Sequence, residues 1–425
     1  MNAVTDFISL SDLSETDKAA LESINTRQDF MLERVKKWAS INTGSWNAEG
    51  LNTLAPLIME ALSSDLEATV EALDTKPIEE INNKGTKDLF QSGPVIRAQA
   101  RIDAPLRVVM TGHYDTVFPA GTFTEITDLG DGKLNGPGLA DMKGGITVMI
   151  DAMRAFEAGP LKDKIGYEII LTPDEETGNF ASSPFLHAAA KEAHIGLTFE
   201  PAMDCDSLAG ARKGSGIWDI IFHGKASHAG RAPEAGRSAI SAAADMALRV
   251  EALNGQHDGV TFNVGSIDGG NAVNIVPELA ILRMGSRAPT PEAAEWAGKA
   301  VKECLAKVLE RDGITAHMHG GFYRPPKPRN AAQDKLICNV QETGKAIGLT
   351  LNFKDTGGVC EGNNIFAAGT PNIDTLGVRG GRIHSSDEFM MVDSLSERAG
   401  LAALLLNRIA DGRIDAPAIK KLMKQ

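Results

Sequence analysis

Cysteine is scarce: Cys205, Cys304, Cys338 and Cys360 are spread through 425 residues with no C-x-x-C pair and no dense framework. A disulfide-stapled scaffold is thereby excluded, and a reducing compartment is the simpler setting. Apolar runs are short as well, none reaching the ~18 residues of a membrane span, so no membrane partner is expected. Positive charge is in deficit. Forty-three Lys and Arg against 56 Asp and Glu leave a net charge of −13. Phosphates would meet a repulsive field, so no nucleic-acid partner is expected. Neither a Walker pattern nor G-x-G-x-x-G occurs, which leaves a phosphate cradle without a motif. Met1 to Asp6 shows no basic region followed by an apolar run, and a cytoplasmic location is expected. What remains is ordinary soluble composition, 43% hydrophobic and 23% charged. A chain of this length predicts two or three domains with at least one large core.

Helical periodicity runs from Ser14 to Ser40. Short apolar runs then alternate with helical patterns: Leu106 to Thr111, a helix from Gly144 to Phe156, Ile165 to Thr172, and Ile195 to Phe199. That alternation predicts an α/β layer fold. Near Gly210 the character changes. Strand patterns at Gly216 to Phe222, Thr261 to Ile267, Ala280 to Ser286 and Thr315 to His319 are interleaved with helices at Arg237 to Leu253 and Pro291 to Glu310. This β-α-β-β-α-β order predicts a ferredoxin-like insert. Arg324-Pro325-Pro326-Lys327-Pro328 reads as a return linker, and helices near Ala331 to Ile347 and Leu395 to Ile409 flank a second α/β segment.

Five short motifs carry chemistry. Gly112-His113-Tyr114-Asp115-Thr116-Val117 follows an apolar strand, at the carboxyl end where ligands gather in open α/β sheets. Residues i and i+2 of an extended chain face the same way, so His113 can offer one nitrogen to a metal while Asp115 fixes the other; a hydrogen-bonded turn histidine is the plainer alternative. Within Gly138-Leu139-Ala140-Asp141-Met142-Lys143-Gly144-Gly145, Asp141 by itself is most simply an N-cap. Thr172-Pro173-Asp174-Glu175-Glu176-Thr177-Gly178 places adjacent carboxylates beyond a strand. They repel unless a divalent cation takes one while the other handles protons, or unless the loop is simply solvated. Phe199-Glu200-Pro201 adds a carboxylate, and Gly380-Gly381-Arg382-Ile383-His384 a second imidazole beyond the apolar run Ile373 to Val378. Such mixed N and O donors suit zinc, with cobalt or manganese as substitutes.

From about residue 30 onward these motifs, with Gly224-Lys225-Ala226-Ser227-His228-Ala229-Gly230, occur in the order and spacing of one family. The chain resembles the dizinc aminoacylase and glutamate carboxypeptidase family, which includes acetylornithine deacetylases and succinyl-diaminopimelate desuccinylases. Its bacterial glutamate carboxypeptidase branch is the most similar. The resemblance implies a zinc-peptidase-like catalytic domain, a mixed sheet flanked by helices, interrupted by a ferredoxin-like lid and dimerisation domain. The division is 1–209, 210–324 and 325–425. It implies two zinc ions per subunit held by His113, Asp141, Glu176, Glu200 and His384, with Asp141 bridging and a cis peptide between Asp141 and Met142. Asp115 would orient His113, Glu175 would be the general base, and His228 would enter the partner's site in a homodimer.

By the same resemblance Asn274, Arg287 and Arg324 would bind a substrate carboxylate. The implied activity is hydrolysis of an amide bond beside a free α-carboxylate in a small peptide. The alternative is an N-acyl amino acid deacylase of the acetylornithine deacetylase type, with a non-catalytic binding homologue behind both. Two motifs depart from the family pattern. Gly357-Gly358-Val359-Cys360-Glu361 stands where Gly-Gly-x-Ser/Thr-Asp is usual, and Ser207-Leu208-Ala209-Gly210 lacks the upstream lysine of the glutamate-specific branch, for which Arg212 and Lys213 are the nearest compensating cations.

Overall fold

The computed structural model describes residues 13–203 and 207–424. The terminal segment Met1 to Asp6 and Cys205 lie outside the described residues. Two helices open the described chain, Glu15–Asn25 and Gln28–Ala39. Ser14 caps the first, its side chain accepting from the Asp17 backbone N–H at 3.1 Å.

A mixed six-stranded sheet forms the frame. Its order is Thr69–Leu73, Val95–Ala100, Ile165–Thr172, Leu106–His113, Ile195–Thr198 and Asn372–Ile373. The last four run parallel; Val95–Ala100 is antiparallel to Ile165–Thr172, and Thr69–Leu73 is antiparallel to Val95–Ala100. Leu106–His113 reads as a continuous apolar run because both faces of the sheet are covered. Val108 and Met110 enter one core, over which the Gly144–Glu157 and Ser394–Ala410 helices lie. Val109 enters another beside Leu186 and Ile365. Register brings the strand ends together: His113 pairs with Thr172, and Thr111 with Thr198. The loops beginning at Pro173 and Phe199 therefore leave the same edge of the sheet as His113.

A second sheet, all antiparallel, has the order Thr261–Gly269, Leu279–Ala288, Gly214–His223, Thr315–Arg324. Helices Ala239–Glu251 and Pro291–Val308 cover one face with a separate core that includes Phe222, Met246, Leu282 and Val301. This is the β-α-β-β-α-β arrangement expected from the sequence. The opposite face holds Ile221 and Ile281 against Ile81, which belongs to an Ile78–Ile81/Lys87–Phe90 hairpin absent from the sequence reading. The fold class is thus an α/β frame with an inserted ferredoxin-like α+β unit.

Two local expectations change. Of the Ile373 to Val378 run only Ile373 is strand, as the end of Asn372–Ile373, because Asp374 turns inward to Arg212 and Lys327. The Pro-rich return segment is anchored in the interior: Lys327 is fully buried, and its backbone exchanges two 2.9 Å hydrogen bonds with Arg212. The chain thus leaves and re-enters the frame through paired segments. No helix among the described residues is long and apolar enough to cross a membrane.

Candidate metal centre and active site

His113 ends its strand with a side chain only 1% exposed. Its Nδ1 lies 3.3 Å from Asp115 Oδ1 and 3.1 Å from the Asp115 carbonyl. Its Nε2 lies 3.1 Å from Asp141 Oδ1 and 3.8 Å from Glu200 Oε1. On the other side, His384 Nε2 is 3.2 Å from both Asp141 Oδ2 and Glu176 Oε2. The five residues thus form two groups, His113 with Glu200 and His384 with Glu176, that share Asp141. His384 reaches the site from the turn between Gly380–Gly381 and Phe389–Met391, rather than from a main-sheet strand.

Asp115 has a larger part than orienting an imidazole. Its Oδ1 accepts from the Glu175 backbone N–H at 3.1 Å, and its Oδ2 from the Glu176 N–H at 3.1 Å and the Ser45 hydroxyl at 2.7 Å. One buried carboxylate therefore ties the His113 strand end to the loop that carries both glutamates. Asp174 and Glu175 are buried, which overturns the solvated-loop alternative. The N-cap alternative for Asp141 also falls. The cap of the following helix is Lys143, the Asp141 carboxylate is turned to His113 and His384 instead, and the Asp141–Met142 peptide is cis as expected.

Glu388, four residues beyond His384, has a part that the sequence reading did not assign. Its buried carboxylate accepts from the backbone N–H groups of Gly138, Ala140 and Asp141 at 3.2, 2.9 and 3.1 Å. Glu388 thereby joins the loop of His384 to that of Asp141. Its place four residues after His384 was the available signal. Ser45, by contrast, had none.

The electrostatics follow from crowding carboxylates away from water. Burial, partly offset by the Arg324 charge, pushes Glu175 up to about 7. Burial and the Asp141 charge push Glu176 up to about 8. Hydrogen bonds to Asp141 and Glu176 raise His384 to about 11. Burial opposes protonation of His113, but Asp115, Asp141 and Glu200 hold its pKa well above the usual range. Each imidazole keeps a proton because its Nε2 faces only carboxylate oxygens. A divalent cation can replace those protons, since metal binding to such donors releases them. Ligand atoms of His113, Asp141 and Glu176 lie within 4.8 Å of one another, as do those of His113, Glu175 and Glu200. The residues fit a cation, and the nitrogen and oxygen donors suit zinc or a similar transition metal.

The site opens into a cleft of about 660 Å³ that Asp141, Glu175, Glu176, Glu200, His384 and four arginines, Arg212, Arg287, Arg324 and Arg382, line. Arg287, half-buried, donates from Nη1 to Ser215 Oγ at 2.6 Å. Arg324 is buried and engaged with the expected base: its Nη1 lies 2.8 Å from Glu175 Oε1, and its Nη2 donates to the Glu175 carbonyl and to Asn179 Oδ1. Arg212 is held by Asp374 through Nε and Nη2 at 2.9 Å each, and Lys213 donates to the Gly259 carbonyl; neither stands free to replace the missing lysine. Cys360 caps the Glu361–Ala367 helix, its Sγ accepting from the Gly362 N–H at 3.3 Å. His228 and Asn274 are exposed and sit together, the Ala229 N–H donating to the Asn274 carbonyl at 2.9 Å. Neither lines this cleft.

An α/β frame with two imidazoles and two glutamates around a shared aspartate defines a metal-dependent amide hydrolase of the co-catalytic type. The model of Peptidase family M20/M25/M40 matches residues 109–408, and the chain belongs to that family. It is 27% identical over 409 residues to carboxypeptidase G2 of Pseudomonas sp. (strain RS-16), covering 93% of each chain. Succinyl-diaminopimelate desuccinylase of Dechloromonas aromatica is 26% identical over 353 residues, 78% of this chain and 89% of the relative. Among solved structures, an M20 family metallo-carboxypeptidase from Sulfolobus solfataricus aligns with a TM-score of 0.69 at 15% identity, covering 90% of this chain and 99% of that one. At that identity the structural likeness establishes the fold alone.

Proposed function

We propose that the chain is a dinuclear zinc carboxypeptidase that cleaves the amide bond beside a free α-carboxylate. The observation that carries this reading is the meeting, in one cleft, of the Asp141-centred donor set with Glu175 and four arginines. In this reading His113, Asp141 and Glu200 hold one ion, and Asp141, Glu176 and His384 the other, with cobalt or manganese as substitutes. When bound, such ions act as Lewis acids toward the scissile carbonyl and make water acidic enough to supply the nucleophile.

The chain's own groups do the rest. Arg324 holds Glu175 Oε1, so we assign proton transfer to Oε2: it takes the proton of the attacking water and returns it to the leaving nitrogen. Asp115 fixes the loop that sets Glu175 beside the donors. Arg287, a planar fork of donors, receives the substrate carboxylate, with Arg324 nearby. We assign residues 1–209 and 325–425 to the catalytic domain and 210–324 to a lid and dimerisation domain. The exposed His228 and Asn274 then serve the partner's cleft in a homodimer, His228 stabilising the oxyanion. A deacylase acting on N-acyl amino acids is the second reading, favoured by the desuccinylase likeness; it uses the same groups.

The test compares a free-acid substrate, a dipeptide or N-acyl amino acid, with its carboxyl-amidated analogue. The free acid should be cleaved with much higher kcat/KM, and Arg287→Ala should erase most of the difference. Equal cleavage of both by the wild type would overturn the carboxypeptidase and deacylase readings and indicate an aminopeptidase.

A further inference from the structure

A second cavity, of about 460 Å³, lies against the first, and Glu176 lines both. Apart from Glu176 and Thr177, its walls come from two loops: Gly44 to Asn47, and Thr116 to Ala120 just beyond Asp115. The two loops are joined by backbone hydrogen bonds, Ser45 N–H to the Thr116 carbonyl at 3.0 Å and Thr116 N–H to the Thr43 carbonyl at 2.9 Å. A Cβ at Gly44 would sit 2.4 Å from the Phe118 carbonyl oxygen, so the close approach requires glycine there. This pocket is a fixed part of the frame and continuous with the reacting centre.

Its chemistry is the opposite of the arginine-lined cleft. No cationic side chain lines it, and Glu176 is its one charged residue. Three of its polar side chains are engaged elsewhere, Ser45 donating to Asp115 at 2.7 Å, Asn47 Nδ2 to the Asn42 carbonyl at 3.1 Å and Thr177 Oγ1 to the Asp174 carbonyl at 3.1 Å, while the Thr116 hydroxyl is buried without a partner among the described residues. Trp46 and Val117 are left uncovered, 49% and 37% exposed, and Phe90 braces the indole edge-on at 4.9 Å. A pocket of this size with an aromatic wall suits a small apolar group.

We propose that this pocket is the acyl-side subsite, built by Trp46, Val117 and Pro119 to receive an apolar group of aromatic size and to disfavour an acidic one. The inference rests on the hydrolase reading above. A substrate whose free carboxylate lies among the arginines must send the other side of its scissile amide away from them, past Glu176. There an aromatic acyl group meets Trp46, whereas a succinyl group would set its terminal carboxylate beside Glu176 with no cation to pair it. Likeness to a desuccinylase does not then extend to the acyl group this chain accepts.

The experiment measures kcat/KM of the zinc-loaded wild type for N-benzoyl, N-acetyl and N-succinyl derivatives of one amino acid. Trp46→Ala and Val117→Asp are compared with it; Val117 is exposed enough for its variant to fold if the indole proves structural. The N-benzoyl compound should be preferred, and each variant should lower its kcat/KM by about tenfold or more while changing that of the N-acetyl compound by less than about twofold. In parallel, N-benzoylglycine should change the intrinsic fluorescence of metal-free wild type but not of Trp46→Phe, with N-acetylglycine inert in both. A preference for the N-succinyl compound, or equal loss on all acyl groups, overturns the subsite while leaving the hydrolase reading intact. Trp46-dependent binding without hydrolysis of any compound leaves the subsite standing and removes the hydrolase reading. Neither hydrolysis nor Trp46-dependent binding removes both.

Discussion

Asp115→Asn is the substitution that most directly tests how the catalytic loop is held. The carboxylate accepts from the Glu175 and Glu176 backbone N–H groups at 3.1 Å each and from Ser45 Oγ at 2.7 Å. Asparagine keeps the shape but has one acceptor oxygen in place of two, so one backbone N–H must face an amide N–H. The Ser45 hydroxyl can rotate to accept from the new amide, whereas His113 Nδ1 at 3.3 Å from Oδ1 needs an acceptor if it is to donate. The amide nitrogen should therefore turn toward Ser45, which leaves the Glu176 N–H orphaned. Losing one charge-assisted hydrogen bond costs about 1.5–3 kcal/mol, and disturbing a group that positions metal ligands lowers affinity by roughly 10–100-fold. Urea unfolding of the metal-free protein should show the first effect as a lower midpoint with an unchanged slope. Competition with a chelator should show the second, falling mainly on the ion that we assign to Glu176. An Asn variant with wild-type midpoint and wild-type zinc affinity would refute the reasoning.

The other expectations follow from the same geometry. Glu175→Gln should lower kcat by at least ~100-fold, the scale of general acid-base catalysis, while elemental analysis finds the metal content unchanged; near-normal turnover would reject Glu175 as the base. His228→Ala and Glu175→Gln subunits, each inactive alone, should regain activity when mixed, approaching one working site per heterodimer, and normal dimers that stay inactive would remove the cross-subunit role. Asp374→Asn should destabilise the fold by about 3–5 kcal/mol, because it leaves the buried Arg212 and Lys327 charges without their shared partner. Burial opposes ionisation of Asp374, but those two cations hold its carboxyl below the usual range. Its contribution is therefore complete above the unfolded value near ~3.9 and lost as pH falls through the lower folded value. The difference in unfolding midpoint between wild type and variant should hold from neutral pH down to about 4 and shrink only below that.

Much of the fold was legible because apolar periodicity is a local signal. Val108 to Met110 reads as a strand buried on both faces whatever lies elsewhere in the chain, and the Ala-rich pattern of Ala239–Glu251 reads as a helix. The motif residues His113, Asp141, Glu175, Glu176, Glu200 and His384 were likewise visible, since each sits just beyond an apolar run or within a glycine-rich loop. The short Ile78–Ile81/Lys87–Phe90 hairpin was not. Its alternation spans only four residues per strand, and it is held in part by packing against Ile221 and Ile281 of a distant segment.

The sequence by itself determined the order of strands and helices, and with it the edge at which the loops emerge; it also determined the residue types available to hold a metal. Tertiary structure decided their pairing. Asp141 stands between His113 and His384 because residues more than 200 positions apart are joined through Glu388, whose carboxylate gathers three backbone N–H groups of the other loop. Arg324 was visible as a cation before a proline, but only packing shows it committed to Glu175. The same holds for the pocket beside Trp46, where two loops about 70 residues apart close on each other through backbone hydrogen bonds. Hydrogen bonds and close approaches between distant segments leave no periodic trace along the chain, which is why those partners had to be seen folded.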